Sequence, residues 1–409
     1  MVKVVVLGGS GVATPELASA IVESPGRTQP VELVLVGRSR DKLEKVTGIA
    51  RLLAGNDPLL TISSTTDTEA ALTGADYVLN QVRVGGLEAR AFDESFSHDL
   101  GIAGEETVGP GGFANASRTI PVVLEYVRLM ERICPSATLL TFANPSSLVQ
   151  YAITHYTRVP TIGLCDGPVS LSEGIARALG APLDELIIDY VGMHHFGWVT
   201  GVWWQGRDVL PEVLAKAGQA APEVEPSITQ AIGAIPGHYL NYVFHPDRML
   251  AKKLGRRTRA EELLELQDEI LGEYGQSLAS GQKPEGLARR KARWYKAIIA
   301  PVMIALVEGR ACQFVLNVVN GPIISWLPLD AVIEIPVLLE DGRIRPLAVG
   351  PVPPDVKALV QTNCTYEMLA VEAIVERDRA KALRALLMNP MIHTYDQAAQ
   401  VLGRAWAKK

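Results

Sequence analysis

Cys165 and the pair His194-His195 each follow a strand-like run, residues 159–164 and 186–191 respectively. A thiolate and an imidazole at two adjacent strand ends can converge on one metal ion and leave positions open for substrate oxygens. Taken alone, a single buried cysteine is ordinary core material, and a His-His pair beside Phe196 and Trp198 is ordinary packing. Their neighbours in the chain change that reading. Asn80-Gln-Val-Arg-Val-Gly-Gly86, Gly104-Glu-Glu-Thr-Val-Gly-Pro-Gly-Gly112, Asn144-Pro-Ser-Ser147 and Gly163-Leu-Cys-Asp-Gly-Pro168 all lie downstream of a glycine turn at residues 8–11. That order points to a nicotinamide and a metal held over one polar substrate.

The elements that must position these residues are legible as alternating apolar runs. Residues 2–7 are almost wholly apolar, as expected of a parallel strand covered on both faces. Gly8-Gly-Ser-Gly11 breaks the run, and Thr14-Pro15-Glu16 opens a helix with proline in its first turn. Strand-like residues 31–36, 77–82 and 138–142 follow, with helix-like segments at 41–53, 88–98 and 120–132. The pattern is α/β, an N-terminal Rossmann-type doubly wound sheet over residues 1–157. Residues 158–409 are expected to form an α+β domain that binds metal and substrate. It has strands near 185–191 and 199–204, a helical region to about 278, a hairpin of 332–336 with 343–347, and a helix over 359–387.

Within the glycine turn, Gly9-Ser10-Gly11 and Thr14 keep the first two glycines of a GxGxxG fingerprint and place threonine third. Such a turn lets the backbone and a helix N-terminus approach a pyrophosphate, although glycine turns also serve simple packing. After the second strand the chain reads Val36-Gly37-Arg38-Ser39-Arg40, with no acid before Asp41 to meet a ribose 2′-hydroxyl. Arg38 either pairs with a 2′-phosphate or is a solvated turn residue, so NAD and NADP both stay open.

The bulk numbers set limits. A chain of 409 residues, 48% hydrophobic and 21% charged, is long enough for two intertwined domains of ordinary globular composition. The net charge of −6 argues against nucleic acid or an anionic membrane as the main partner. Four cysteines without a CxxC pair, no signal-peptide pattern and no long apolar run lead to the expectation of a cytoplasmic protein.

One family combines these motifs. The chain resembles glycoside hydrolase family 4 from residue 1 to about 390. The matching residues are Gly8-Gly-Ser10 with Thr14-Pro-Glu-Leu17, Arg83-Val-Gly-Gly86, Gly104-Glu-Glu-Thr107 with Gly109-Pro-Gly-Gly112, and Asn144-Pro145. Cys165-Asp166-x-Pro168, Gly192-x-x-His-Phe-Gly197, Tyr239-Leu-x-Tyr242 and Thr258-Arg-Ala-Glu-Glu262 complete the series. The resemblance implies an NAD- and Mn²⁺-dependent glycosidase acting mostly on 6-phosphosugars, outside the usual two-carboxylate mechanism. It implies Cys165 and His195 as metal ligands, Tyr239 as the base at C2 and Asp166 as the acid toward the leaving group. Asn144 would hold sugar hydroxyls near the nicotinamide, Arg83 and Arg259 the 6-phosphate, with Glu106 behind them. Gly9, Ser10, Gly11, Thr14, Arg38 and Asn80 are the expected cofactor contacts. Relatives are usually homodimers or homotetramers.

The chemistry is coherent on its own terms. A nicotinamide that takes hydride from C3 makes the C2 hydrogen acidic, a metal polarises the C3 oxygen, and a tyrosinate can take the C2 proton. Arginine suits a phosphate because its planar fork donates paired hydrogen bonds. Arg259, among Arg256, Arg257 and Glu261-Glu262, otherwise reads as a solvated helix face, and Tyr242 shares a helical face with Tyr239. The remaining histidines, His98, His155, His238, His245 and His393, read as structural or surface residues.

Three departures bear on substrate. The acid after the second strand is missing. His194 replaces the usual asparagine on the substrate side of the metal-binding histidine. Asp166 is associated with the α-glycosidases of the family, whereas the short chain and its C-terminal half resemble 6-phospho-β-glucosidases. The β reading is adopted, with an α-6-phosphoglycosidase or a non-phosphorylated α-glycosidase as the alternative. From other classes, a lactate/malate-like dehydrogenase and an NAD-binding sensor remain the rivals.

Overall fold

The structure, a computed structural model, describes residues 1–406; the last three residues of the expected second domain lie outside that range. Six parallel strands come first: β1 (Val2–Leu7), β2 (Val31–Val36), β3 (Leu60–Thr65), β4 (Tyr77–Asn80), β5 (Thr138–Thr141) and β6 (Thr161–Gly163). They lie side by side in the order β3-β2-β1-β4-β5-β6, the doubly wound arrangement. Their apolar runs follow from burial on both faces. Val4 and Val6 enter one core layer while Val5 and Leu7 enter the other, and Leu33 and Leu35 alternate likewise with Val34 and Val36.

The sheet does not stop at β6. It continues through seven more strands: β7 (Leu186–Met193), β8 (Phe196–Trp204), β9 (Arg207–Asp208), β10 (Ile235–Pro236), β11 (Cys312–Val319), β12 (Val332–Glu340) and β13 (Arg343–Pro346). Beyond β6 the order is β11-β12-β7-β8-β10, all antiparallel, with β13 on β12 and β9 on β8. The division expected at residues 157/158 falls before β6, which still belongs to the parallel half. No helix of the described residues is long and apolar enough to cross a membrane.

Several boundaries differ from the sequence reading for physical reasons. The helix expected at 120–132 spans Gly109–Ile133. Its glycines are there for close approach: a Cβ on Gly111 would stand 2.1 Å from the Glu105 carbonyl oxygen, and one on Gly112 2.7 Å from that of Thr107. The helix expected at 359–387 is two, Pro354–Glu376 and Arg379–Met388. Arg377 breaks it at φ 58°, and Asp378 caps the second by accepting the Lys381 N–H at 2.9 Å. The segment expected as a helix over 88–98 is helical only over Gly86–Asp93. Strands β3 and β11 went unread: four of the six residues of β3 are Ser or Thr, and β11 is partly exposed along its first half.

The seam between the two halves is narrow. Asn317 of β11 pairs with Gly163 of β6, and Gln150 Nε2 donates to the Asn317 carbonyl at 2.9 Å. A Cβ on Gly163 would stand 2.1 Å from Gln150 Oε1 and 2.8 Å from the Asn317 Cβ. Gly163→Ala is therefore expected to lower stability by about 1–3 kcal/mol, the usual range for overpacking. Urea unfolding measures it; an unchanged midpoint would mean that the seam relaxes freely.

Candidate active site

A cavity of about 560 Å³ opens at the carboxyl ends of the parallel strands, where open α/β sheets bind ligands. Gly8, Ser10, Gly11, Thr14 and Arg38 line one end of it, and Arg83, Asn144 and Trp294 line the other. Gly8 has φ +83°, and a Cβ there would meet the Gln81 carbonyl oxygen at 2.9 Å. Gln81 pins the turn, donating to Thr14 Oγ1 at 3.0 Å and accepting from the Tyr295 hydroxyl at 2.8 Å. The helix Pro15–Glu23 starts here with no side-chain cap: Pro15 has no N–H, and the Glu16 and Leu17 N–H groups turn back to the Ala13 and Thr14 carbonyls at 3.0 Å, so the tight turn itself closes the helix end beside the cavity. Two expected cofactor contacts lie off this surface. Gly9 backs onto β2, its N–H on the Val36 carbonyl at 2.8 Å, and buried Asn80 donates to Thr141 Oγ1 at 3.2 Å, bracing β4 against β5.

At the middle of the same edge, donor atoms of Cys165, His194 and His195 all lie within 4.8 Å of one another. Cys165 follows β6, Asn144 follows β5, and the two histidines form the tight turn between β7 and β8. His195 holds a positive φ of 61°, unusual for a side chain with a Cβ, so the turn keeps it against a local backbone preference. Thr107 Oγ1 lies 2.9 Å from His195 Nδ1, which leaves Nε2 for a ligand. His194 Nε2 lies 3.1 Å from Asn144 Oδ1, while its buried Nδ1 has no partner. An orphaned imidazole nitrogen, a buried thiol and a second imidazole are a donor set suited to a divalent metal. The geometry thus draws His194, expected only as a substrate contact, into the donor cluster.

Burial sets the protonation here. It pushes the Cys165 thiol well up, with Glu334 and Asp166 adding to it, and pushes His195 well down, with His194 and His238 adding to it. Burial alone lowers His194 to about 3. Both imidazoles are therefore neutral, as metal ligation requires, and the thiol must lose its proton on binding.

A second cavity, about 320 Å³, lies on the other side of Cys165 and His195 and is also lined by Tyr239, His238, Arg293 and Glu334. The Tyr239 ring stacks on His195 with centroids 3.8 Å apart and planes 10° from parallel. Tyr242 is engaged elsewhere, its hydroxyl donating to Glu105 Oε2 at 3.0 Å. Geometry separates the two tyrosines that shared a helical spacing. Burial raises Tyr239 well above the ordinary phenol range, and Glu105, Glu106, Cys165 and Asp166 add to it. Asp166 stands at the N-cap of the helix Gly167–Leu179 and lines neither cavity, although Cys165 and Gly167 on either side of it do. Burial raises its carboxyl as well.

The arginines divide. Arg83 pairs with Glu106, whose other oxygen lies 3.0 Å from Arg90. Burial would raise the Glu106 carboxyl, but Arg83 and Arg90 together outweigh it and hold it below its ordinary value. Arg290, which the sequence reading missed, lines the first cavity with Arg83; burial, then Arg90 and Arg83, lower it to about 10. Arg259 is half exposed, pairs with Glu262 at 2.7 Å and does not line the cavity, although Leu263 and Gln267 of its helix do. Two further residues went unread. His238, expected as structural or surface, lies against Tyr239 with centroids 4.2 Å apart. Glu334 is fully buried on β12 beside Cys165, accepts from Tyr190 at 2.9 Å and Asn317 at 3.1 Å, and is raised to about 7 by burial. Its signal was an acid inside the apolar run 332–336.

This donor set makes a prediction about metal. His195→Ala or Cys165→Ala should weaken Mn²⁺ binding more than Thr107→Val does, and the latter by about 10–100-fold, the usual cost of losing an outer partner. Free-ion electron paramagnetic resonance titration reads this directly, and unchanged affinity in the ligand variants would remove the site.

Comparison with known proteins agrees with this geometry. Residues 3–181 match the model for "Family 4 glycosyl hydrolase", and residues 190–392 match the "Family 4 glycosyl hydrolase C-terminal domain". A Bacillus subtilis (strain 168) protein named "Probable 6-phospho-beta-glucosidase" is 31% identical over 98% of this chain and 94% of its own. The 6-phospho-beta glucosidase of Thermotoga maritima, solved with manganese, NAD⁺ and glucose-6-phosphate, superimposes with a TM-score of 0.88 at 27% identity, covering 98% of this chain and 97% of that one. A 6-phospho-alpha-glucosidase from gut microorganisms, solved with NAD and Mn²⁺, gives 0.85 at 25% identity, covering 99% and 97%. With a dinucleotide turn and a Cys-His donor cluster on one sheet edge, and the family's two parts matched in order, this chain belongs to the family 4 glycosyl hydrolases.

Proposed function

We propose that the chain hydrolyses 6-phospho-β-glucosides by a redox-assisted elimination that uses a nicotinamide dinucleotide and a divalent metal, Mn²⁺ in the first instance. The observation that carries the reading is the placement of Tyr239 on His195, facing the cavity that Cys165 also lines. When bound, the nicotinamide would exchange hydride with C3 of the sugar, and the metal would polarise the C3 oxygen. The chain's own residues do the rest. Asn144, tied to His194, orients hydroxyls at the boundary of the dinucleotide cavity. Tyr239 removes the C2 proton once C3 is a carbonyl, and the bond from C1 to the aglycone oxygen breaks. Asp166, its carboxyl raised by burial, gives the leaving oxygen a proton. Arg83 and Arg290 meet the 6-phosphate, with Glu106 fixing the fork of Arg83; Arg259 approaches from the rim.

A second reading has a specific observation behind it. Asp166, the residue associated with α-glycosidases, is part-buried beside Cys165, and that burial raises its carboxyl above the ordinary range. The α-6-phosphoglycosidase therefore stays as the alternative, and both anomers belong in the test.

Aryl 6-phospho-β-glucoside, its α anomer and the unphosphorylated sugars are incubated with cofactor and Mn²⁺ in D₂O, with nuclear magnetic resonance at C2. The expected result is aglycone release from the β-phosphoglycoside that needs both additions and leaves deuterium at C2 of the sugar. Release without nicotinamide, or from none of the phosphosugars, would contradict the proposal. Tyr239→Phe should lower the rate by about 10²–10⁴-fold, the range for loss of a general base, and remove the C2 exchange. Asp166→Asn should slow alkyl aglycones far more than nitrophenyl ones; equal slowing would take the acid role from Asp166.

A further inference from the structure

The dinucleotide cavity has an adenosine end, and its chemistry differs from that of an NAD site. Building on the reading of this cavity as a dinucleotide site, we propose that Arg38 and Lys42 form a subsite for a 2′-phosphate, so that the chain takes NADP⁺ in preference to NAD⁺.

The first argument is steric. In sheets of this topology a carboxylate at the end of the second strand receives the ribose hydroxyls of NAD. Here β2 ends at Val36 and the next residue is Gly37. A Cβ on Gly37 would stand 2.8 Å from Ser10 Cβ, 2.9 Å from Ser10 Oγ and 3.2 Å from Leu43 Cδ1. Ser10 belongs to the glycine turn itself, so an acid cannot enter at this point without moving the turn that would receive the pyrophosphate. The first acid along the chain, Asp41, is no substitute. Its side chain is 80% exposed, pairs with Lys45 at 3.2 Å and does not line the cavity.

The second argument is electrostatic. Arg38 and Lys42 both line the cavity, next to Thr66 and Thr68 from the end of the neighbouring strand. Among the described residues Arg38 makes no ion pair and no side-chain hydrogen bond, and Lys42 makes no ion pair. The acid on this cavity wall is Glu88, across the cavity at the start of the helix Gly86–Asp93; it reaches Lys42 only through space, as Asp268 does. Two cations without a carboxylate between them would face only neutral hydroxyls of NAD. A 2′-phosphate brings nearly two negative charges and three acceptor oxygens to the same place, and the fork of Arg38 can donate to two of them at once.

The test is equilibrium binding to the full-length, substrate-free protein, read by calorimetry and by quenching of tryptophan, since Trp294 lines the cavity. NADP⁺ is expected to bind about 10- to 100-fold more tightly than NAD⁺, the worth of one charge-assisted contact. 2′,5′-ADP, which lacks the nicotinamide, should show the same advantage over 5′-AMP, from which it differs only by the 2′-phosphate. Arg38→Ala should bring the NADP⁺/NAD⁺ ratio towards one, Arg38→Lys should restore part of it, and Lys42→Gln should lower it. Wild-type protein that binds NAD⁺ as tightly as NADP⁺ would overturn the subsite and leave the dinucleotide reading intact. Binding of neither would overturn both. A preference that survives Arg38→Ala and Lys42→Gln undiminished would take the subsite away from these residues.

Discussion

Everything at this site depends on a change of strand direction within one sheet. The parallel half brings the glycine turn, Asn144 and Cys165 to its carboxyl edge, because every parallel strand ends on the same side. A further parallel strand could not bring histidines back to that edge in a tight turn. The antiparallel hairpin of β7 and β8 does, and it is registered on the parallel half through β12 and β11. The two contacts that set this register involve Gly192 opposite Glu334 and Gly163 opposite Asn317, and the two polar partners bond to each other at 3.1 Å. A buried carboxyl with its partners satisfied fixes geometry strongly, because sliding either strand would leave it unpaired in a low-dielectric setting. Glu334 therefore belongs to the frame of the metal site as much as to its electrostatics.

The site's charge balance follows from that burial. In the proposed reaction Cys165 and Tyr239 both act as anions, and their surroundings oppose it. The cavity supplies compensating positive charge at the proposed phosphate end through Arg83 and Arg290, with Arg90 off the cavity surface and Glu106 between Arg83 and Arg90. At the thiol it supplies none. A divalent ion and a cationic nicotinamide are the charges that would complete this arrangement, so binding and activation are one event rather than two. Stacking of His194, His195 and Tyr239 makes the three rings a single packed unit, so the proposed base and metal ligand are positioned together.

Much of this was readable in the sequence, and the failures have causes. The apolar runs of β1 and β2 matched their strands because burial on both faces confines the one charged residue of each, Lys3 and Glu32, to the start of the strand. Gly111 and Gly112 lay outside the helix expected at 120–132 and are helical, since glycine marks close backbone approach as readily as a turn. Cys165 and His195 stand together as their places after two strands suggested, whereas Arg290 reaches the cavity only through long-range packing, and Glu334 left no trace beyond an acid within an apolar run. Arg259 was singled out by its motif position alone, and its side chain pairs with Glu262 rather than lining the cavity. Asn80 fell in a motif for strand-to-strand bracing rather than ligand contact.

The central claim is that the chain oxidises the sugar before it breaks the glycosidic bond. The most direct measurement is rapid mixing of the loaded enzyme with a 6-phosphoglucoside carrying deuterium at C3, watching reduced-nicotinamide absorbance against aglycone release. The account predicts that reduction precedes release and is slowed by the label as a primary isotope effect. Release that runs ahead of reduction, with no sensitivity to deuterium at C3, would contradict it.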